Sequence, residues 1–265
     1  MSDRDAPDPG DFMHSSPAES GPKTDTRSDP RTRLRVLPQA RLWVLWALVL
    51  AGADLALGLS AKWTPGFSAN EFSVDQELSR HHEVLLTGIA MTINYLFAPL
   101  VGVPIIILVA LYLLVVRRSP VNAIAFGAVA SLGWVASEIF KLIIARQRPN
   151  QALLLDPLAP ETGSNSFPSG HVAFAVALAF AVFFIARNTR WSRTAAIAGP
   201  IVALVVAWSR VYVGVHYPTD VVASFLASSA AVILFAGLWN RYALVLLTRI
   251  PLLARFGPVG SSPNR

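Results

Sequence analysis

Thirty-three consecutive residues, 84–116, contain no Asp, Glu, Lys, Arg or His. As one straight helix rising 1.5 Å per residue this run would be about 50 Å long, well beyond the ~30 Å of a bilayer's hydrocarbon. It must therefore break, and Pro99 and Pro104 lie inside it. Similar runs recur to the end of the chain. Of the 265 residues 54% are hydrophobic and 14% charged, and thirteen of the thirty-eight charged residues fall in the first forty. The other 225 carry twenty-five, roughly 11%, where soluble domains carry about 25%. Such a stretch belongs in a membrane.

The fold class expected is all-α, an integral membrane bundle of six transmembrane helices with a short interfacial helix before the second span. The spans are expected at 42–59, 95–116, 121–144, 169–186, 194–213 and 219–239, with the interfacial helix over 75–93 turning into the membrane near Asn94. Residues 1–40, rich in Asp, Pro, Ser, Arg and Thr, read as a disordered cytoplasmic tail. Residues 41–240 form the membrane domain and 241–265 a cytoplasmic C-terminal tail. No short basic start followed by an apolar core and a small-residue cleavage site opens the chain, so the first span is expected to be a retained anchor.

Placing the N-terminus inside puts sixteen of the twenty-two Lys and Arg in cytoplasmic segments and six outside, as the positive-inside rule requires. The six are Lys62, Arg80, Lys141, Arg146, Arg148 and Arg210, and the last four sit at neighbouring span ends. Cations kept on the disfavoured side point to a purpose other than topology. The net charge of +6 could suggest nucleic acid. Because most basic residues lie at the ends of apolar runs, no nucleic-acid partner is expected. The absence of cysteine excludes disulfides, thiolate metal sites and Cys nucleophiles.

Three segments are brought to that outer face by the parity of six spans: Lys141 to Pro149, Pro168-Ser169-Gly170-His171, and Ser209-Arg210 through His216 to Asp220. Lys and Arg supply charge and planar donor forks for a phosphoryl group. Ser169 is a good helix cap, Gly170 admits a close backbone N–H, and a helix amino end favours anions. His216 and Asp220 are four apart, so the carboxylate can orient one ring nitrogen while the other faces a substrate, making His216 a candidate nucleophile. With carboxylates scarce on this face, no metal and no cofactor is expected.

At these residues the chain resembles the type 2 phosphatidic acid phosphatase family, the membrane lipid phosphatases related to vanadium haloperoxidases. Its three signatures match in full: Lys141 with Arg148-Pro149, Pro168 to His171, and Ser209-Arg210 with His216 and Asp220. The resemblance spans residues 41–240. It implies that Lys141, Arg148, Ser169, Gly170 and Arg210 hold the phosphate, that His216 attacks phosphorus, that His171 protonates the leaving oxygen and that Asp220 orients His216. Water would then cleave the phosphohistidine. The expected activity is hydrolysis of a lipid phosphate or diphosphate at the extracytoplasmic face, with a polyprenyl diphosphate favoured and phosphatidylglycerophosphate or phosphatidic acid as other substrates. A phosphotransferase would use the same residues, whereas an anion transporter or lipid-binding protein would bind phosphate reversibly.

Five further residues carry weaker expectations. Arg146 reads as a headgroup contact or interfacial anchor, and Glu138 as a partner that aims Lys141 from one turn away. Asp54 should face the bundle interior or the outer interface, and His81 and His82 the interface.

Overall fold

The computed structural model describes residues 29–159 and 163–259, and the regular structure among them is helical apart from one bridge, Gln147 to Asn165. The main helices are α1 (Trp43–Trp63), α2 (Phe67–Arg80), α3 (Val84–Leu96), α4 (Pro99–Leu111), α5 (Pro120–Ile144), α6 (Gly170–Ala186), α7 (Ser192–Tyr212) and α8 (Pro218–Leu247). Five helical stretches are long and apolar enough to cross a membrane: α1, α4 with its extension to Val116, α5, α7 and α8. At 17 residues, α6 is shorter.

The long apolar run breaks where proline chemistry places the break. Ala98 is extended, as a residue preceding proline tends to be, and Pro99 opens α4 where a missing N–H leaves no bond unmade. Pro104 is tolerated inside α4. The expected interfacial helix over 75–93 is instead two helices, α2 and α3, separated at His81–Glu83. His82 fills that break. Its side chain is buried against protein groups, with Nδ1 2.9 Å from Asp156 and Nε2 2.9 Å from the carbonyl of Tyr212.

α6 lies at the centre, packed against α5, α7 and α8, while α1 packs along α8. Small residues permit this closeness. A Cβ on Gly133 of α5 would stand 2.0 Å from the Ala173 carbonyl oxygen of α6, so the two backbones touch there. Asp54 is fully buried inside the bundle, as its cost in lipid demands.

Two boundaries differ from expectation at the end bearing residues 29–39. Part of the expected tail is packed structure: Pro30–Arg35 forms a 3-10 helix, and Leu34 and Leu37 are buried. The Leu34 N–H donates to Asn122 and its carbonyl accepts from the Trp239 indole, while the Leu37 N–H donates to Asn240. Residues 1–28 lie outside the described residues. α8 runs on past 240 to Leu247, because Ala243 and Leu247 contribute to the core beneath this segment.

At the opposite end the C-termini of α5 and α7 meet the N-termini of α6 and α8. The links are the segment 145–169 and a short turn, 213–217, in which Gly214 takes φ +74°, a left-handed conformation that costs glycine little.

Candidate active site

α5 ends abruptly. Ala145 caps it at φ 48°, and the next residues run extended, with Arg148 N–H donating to Ser164 O and Ser166 N–H to Arg146 O. Side chains alternate along extended chain, so Arg146 and Arg148 turn inward while Gln147 is exposed. The two guanidiniums meet the two members of one pair. Arg148 Nη1 is 3.1 Å from His216 Nε2, and Arg146 Nη1 donates to Asp220 Oδ1 at 2.7 Å.

His216 and Asp220 themselves face each other across the start of α8. His216 Nδ1 is 3.5 Å from Asp220 Oδ2, which also accepts the Tyr217 backbone N–H at 3.0 Å. Asp220 sits in the first turn of α8, where an amino-end carboxylate is favoured. The carboxylate is fully buried, and His216 is 1% exposed.

The second group surrounds the start of α6. Ser169 is the residue before its first turn, and its hydroxyl oxygen is buried with no protein hydrogen-bond partner. Buried hydroxyls are as a rule hydrogen-bonded, so this one stands out. Lys141 reaches over the same turn: a Cβ on Gly170 would lie 3.5 Å from its ammonium nitrogen, and Glu138 holds that nitrogen at 2.6 Å, as sequence spacing predicts. His171 has Lys141, Arg210 and His216 as charged or chargeable neighbours. All eight residues expected from the sequence thus gather at one end of the bundle.

Asn94 was not singled out as a site residue, yet it ties two of them. Its side-chain oxygen accepts from Arg210 Nη1, and its backbone carbonyl lies 3.1 Å from His171 Nε2. A carbonyl only accepts, so that nitrogen carries the hydrogen and Nδ1 is left for other work. Local sequence holds no signal for this contact, since Asn94 and Arg210 are 116 residues apart.

Arg146 overturns its expected role. It is 2% exposed and pairs on its far side with Glu71 of α2 at 2.7 Å, with Ser68 at 2.9 Å and with the Tyr217 ring 4.0 Å beneath its guanidinium carbon. Asp75, one turn from Glu71, has both carboxylate oxygens buried without a hydrogen bond. Burial pushes its carboxyl up to about 8, with Asp220 and Glu71 adding and Arg146 opposing. Burial also pushes the Tyr217 phenol up, with Arg146 again opposing. Among the described residues no group of three or more His, Cys, Asp or Glu is placed to hold a metal ion.

With this geometry in view, residues 120–243 match the PAP2 superfamily, a range that contains every residue of the two groups except Asn94, Ser68, Glu71 and Asp75. The chain matches that superfamily over 124 of its 265 residues. It is 27% identical over 184 residues to undecaprenyl-diphosphatase BcrC of Bacillus subtilis, covering 69% of this chain and 88% of the relative. It is also 27% identical over 191 residues to an undecaprenyl-diphosphatase of Sulfolobus acidocaldarius, covering 71% and 85%. The crystal structure of a transmembrane PAP2-type phosphatidylglycerolphosphate phosphatase from Bacillus subtilis superposes with a TM-score of 0.62 at 23% identity, covering 74% of this chain and 96% of that one. This last likeness is one of fold.

Proposed function

We propose that this chain is an integral membrane phosphatase that hydrolyses a lipid diphosphate, a polyprenyl diphosphate in the first place, through a phosphohistidine on His216. The observation that carries the reading is the polarity of the His216 ring: Nδ1 faces the Asp220 carboxylate and Nε2 faces Arg148. A carboxylate behind one nitrogen steadies the imidazolium that forms as the other attacks, the logic by which a triad aspartate serves its histidine. The names of the two undecaprenyl-diphosphatase relatives support the substrate class.

In the first step Nε2 of His216 attacks the terminal phosphorus, the bridging P–O bond breaks, and the lipid phosphate leaves with a proton from Nδ1 of His171, which enters the step as the imidazolium. In the second, water attacks the phosphohistidine and His171 takes the proton back, releasing inorganic phosphate and free His216. Lys141, Arg148 and Arg210, with the Ser169 hydroxyl and the backbone N–H of Gly170, hold the phosphoryl oxygens. Phosphoryl transfer asks a protein mainly for positioning and for neutralisation of spread negative charge, and this set supplies both. No metal enters this scheme, so EDTA leaves the rate unchanged.

In this reading α1, α4, α5, α6, α7 and α8 are six crossings, with α2 and α3 at the interface. α6 spans about 26 Å at 1.5 Å per residue, close to the hydrocarbon thickness. The excess of Lys and Arg in the opposite loops supports an extracytoplasmic site. The test is phosphate release by the purified protein in detergent from prenyl diphosphates, phosphatidylglycerophosphate and phosphatidic acid. His216→Ala is expected to lower the rate by about 10³ or more while preserving membrane insertion. Retained turnover in that variant defeats the mechanism.

A further inference from the structure

We infer that Arg146 and Glu71 are positioning residues, a buried guanidinium–carboxylate brace that fixes the Asp220–His216 pair and sets the net charge it experiences. The inference rests on the phosphatase reading above and adds to it a functional role for α2.

The brace is continuous. Glu71 Oε1 accepts the Thr219 backbone N–H at 2.8 Å and its Oε2 accepts the Thr219 hydroxyl at 2.7 Å. Arg146 spans from Glu71 to Asp220, and its Nη1 also donates to the Thr219 hydroxyl at 2.8 Å. Thr219 and Asp220 open α8, so α2 is clamped to the first turn of the helix that carries the Asp220 carboxylate. The Tyr217 ring closes the guanidinium's open face. Arg146 and Asp220 are both buried, and such a pair is strongly unfavourable to leave half made, whatever its net contribution when intact.

Substrate contact is not what this arrangement offers. Arg146 lies behind Asp220, on the side away from His216, whereas Arg148 stands at the ring nitrogen that faces the phosphate. Asp220 divides its two oxygens accordingly, Oδ1 to Arg146 and Oδ2 to the Tyr217 N–H and the His216 ring. A carboxylate anchored at both oxygens cannot rotate, so the ring it orients stays aimed.

The charges follow from the same geometry. Behind Asp220 stand Arg146, Glu71 and Asp75; in front of or beside His216 stand Arg148, Lys141, His171 and Arg210; Tyr217 lies between. Removing the Arg146 charge leaves Asp220 and Glu71 less opposed, which favours the His216 imidazolium. Removing the Glu71 charge does the reverse. The two substitutions therefore move the acid limb of kcat/KM in opposite directions, because the nucleophile must be unprotonated.

The experiment measures farnesyl diphosphate hydrolysis by purified full-length protein in detergent from pH 5 to 9. Arg146→Gln is expected to lower kcat about 100-fold with KM within about twofold, and to move the acid limb up by about one pH unit. Glu71→Gln is expected to lower kcat about tenfold and move the limb down. Arg146→Lys keeps the charge and the wild-type limb but recovers only part of kcat, since one ammonium cannot span two carboxylates as a planar fork does. Should Arg146→Gln fail to fold, the downward limb of Glu71→Gln and the unshifted limb of Arg146→Lys decide. Limbs that stay fixed in both charge-removing variants overturn the inference, as does a rise in KM at unchanged kcat, which assigns Arg146 to the headgroup. A His216→Ala control separates the two levels: turnover there sinks the phosphatase mechanism, whereas loss there with wild-type Arg146→Gln and Glu71→Gln sinks the brace alone.

Discussion

The two ends of the helix bundle are closed by different chemistry. At one end Asn122, Asn240 and the Trp239 indole exchange hydrogen bonds with the backbone around Leu34 and Leu37 and seal the core there, while the Arg33 and Arg187 guanidiniums donate to the carbonyls of Ile185 and Val36 at its edge. At the other end Arg146, Glu71, Asp220 and His216 form the closure, with Arg148 facing the ring. Neutral amides satisfy a buried backbone at modest cost and do not respond to pH. Buried charges are expensive and respond strongly, which is worthwhile only where charge develops during a reaction.

Asp220→Asn strikes the charged end hardest after His216→Ala. It removes the charge that Arg146 and His216 share, and is expected to reduce kcat about 10²- to 10³-fold in the phosphate-release assay, with the protein still extracted from membranes intact. An intermediate change is expected in Asp75→Asn. Between the ordinary carboxylate range and about pH 8, folded Asp75 holds a proton that the unfolded chain releases. Native stability therefore declines as pH rises through that window, and the loss is complete above it. The Asn variant lacks this penalty, so its Tm in detergent should match the wild type near pH 4 and exceed it by about 5 °C at pH 9. A constant difference across the range would refute burial of an ionisable Asp75.

The neutral end should give the smallest effect on turnover. Leu34→Ala is expected to cost about 2–4 kcal/mol of stability through the cavity it leaves, seen as a lower Tm. Its kcat should stay within about twofold of wild type at every pH, and a shifted pH profile would break the distinction between the ends.

Much of this architecture was legible from residues. Apolar runs give most helices, and three spaced signatures give eight residues that the fold gathers at one end of the bundle, because each signature is local to a short segment. What the sequence concealed depends on contacts across long separations. Arg146 looks like an interfacial cation when only its neighbours are read, and its partner Glu71 is 75 residues away. His82 has Glu83 beside it in sequence, yet its ring meets Asp156, 74 residues away. The segment around Leu34 is too polar to order itself alone, and does so because Asn122 and Trp239 await its backbone. The break between α2 and α3 falls in a stretch whose composition suits either one helix or two.

The extended stretch after α5 has one more consequence. Two residues of extended chain advance about 6.6 Å and put both side chains on one face, while His216 lies in the turn before α8 and Asp220 in its first turn. Arg146 and Arg148 therefore fall into step with Asp220 and His216 like two teeth against two notches. A slip of a single residue would present Gln147 to the pair and strip away both cations together, so deletions or insertions between Ala145 and Pro149 should be far more damaging than most substitutions there.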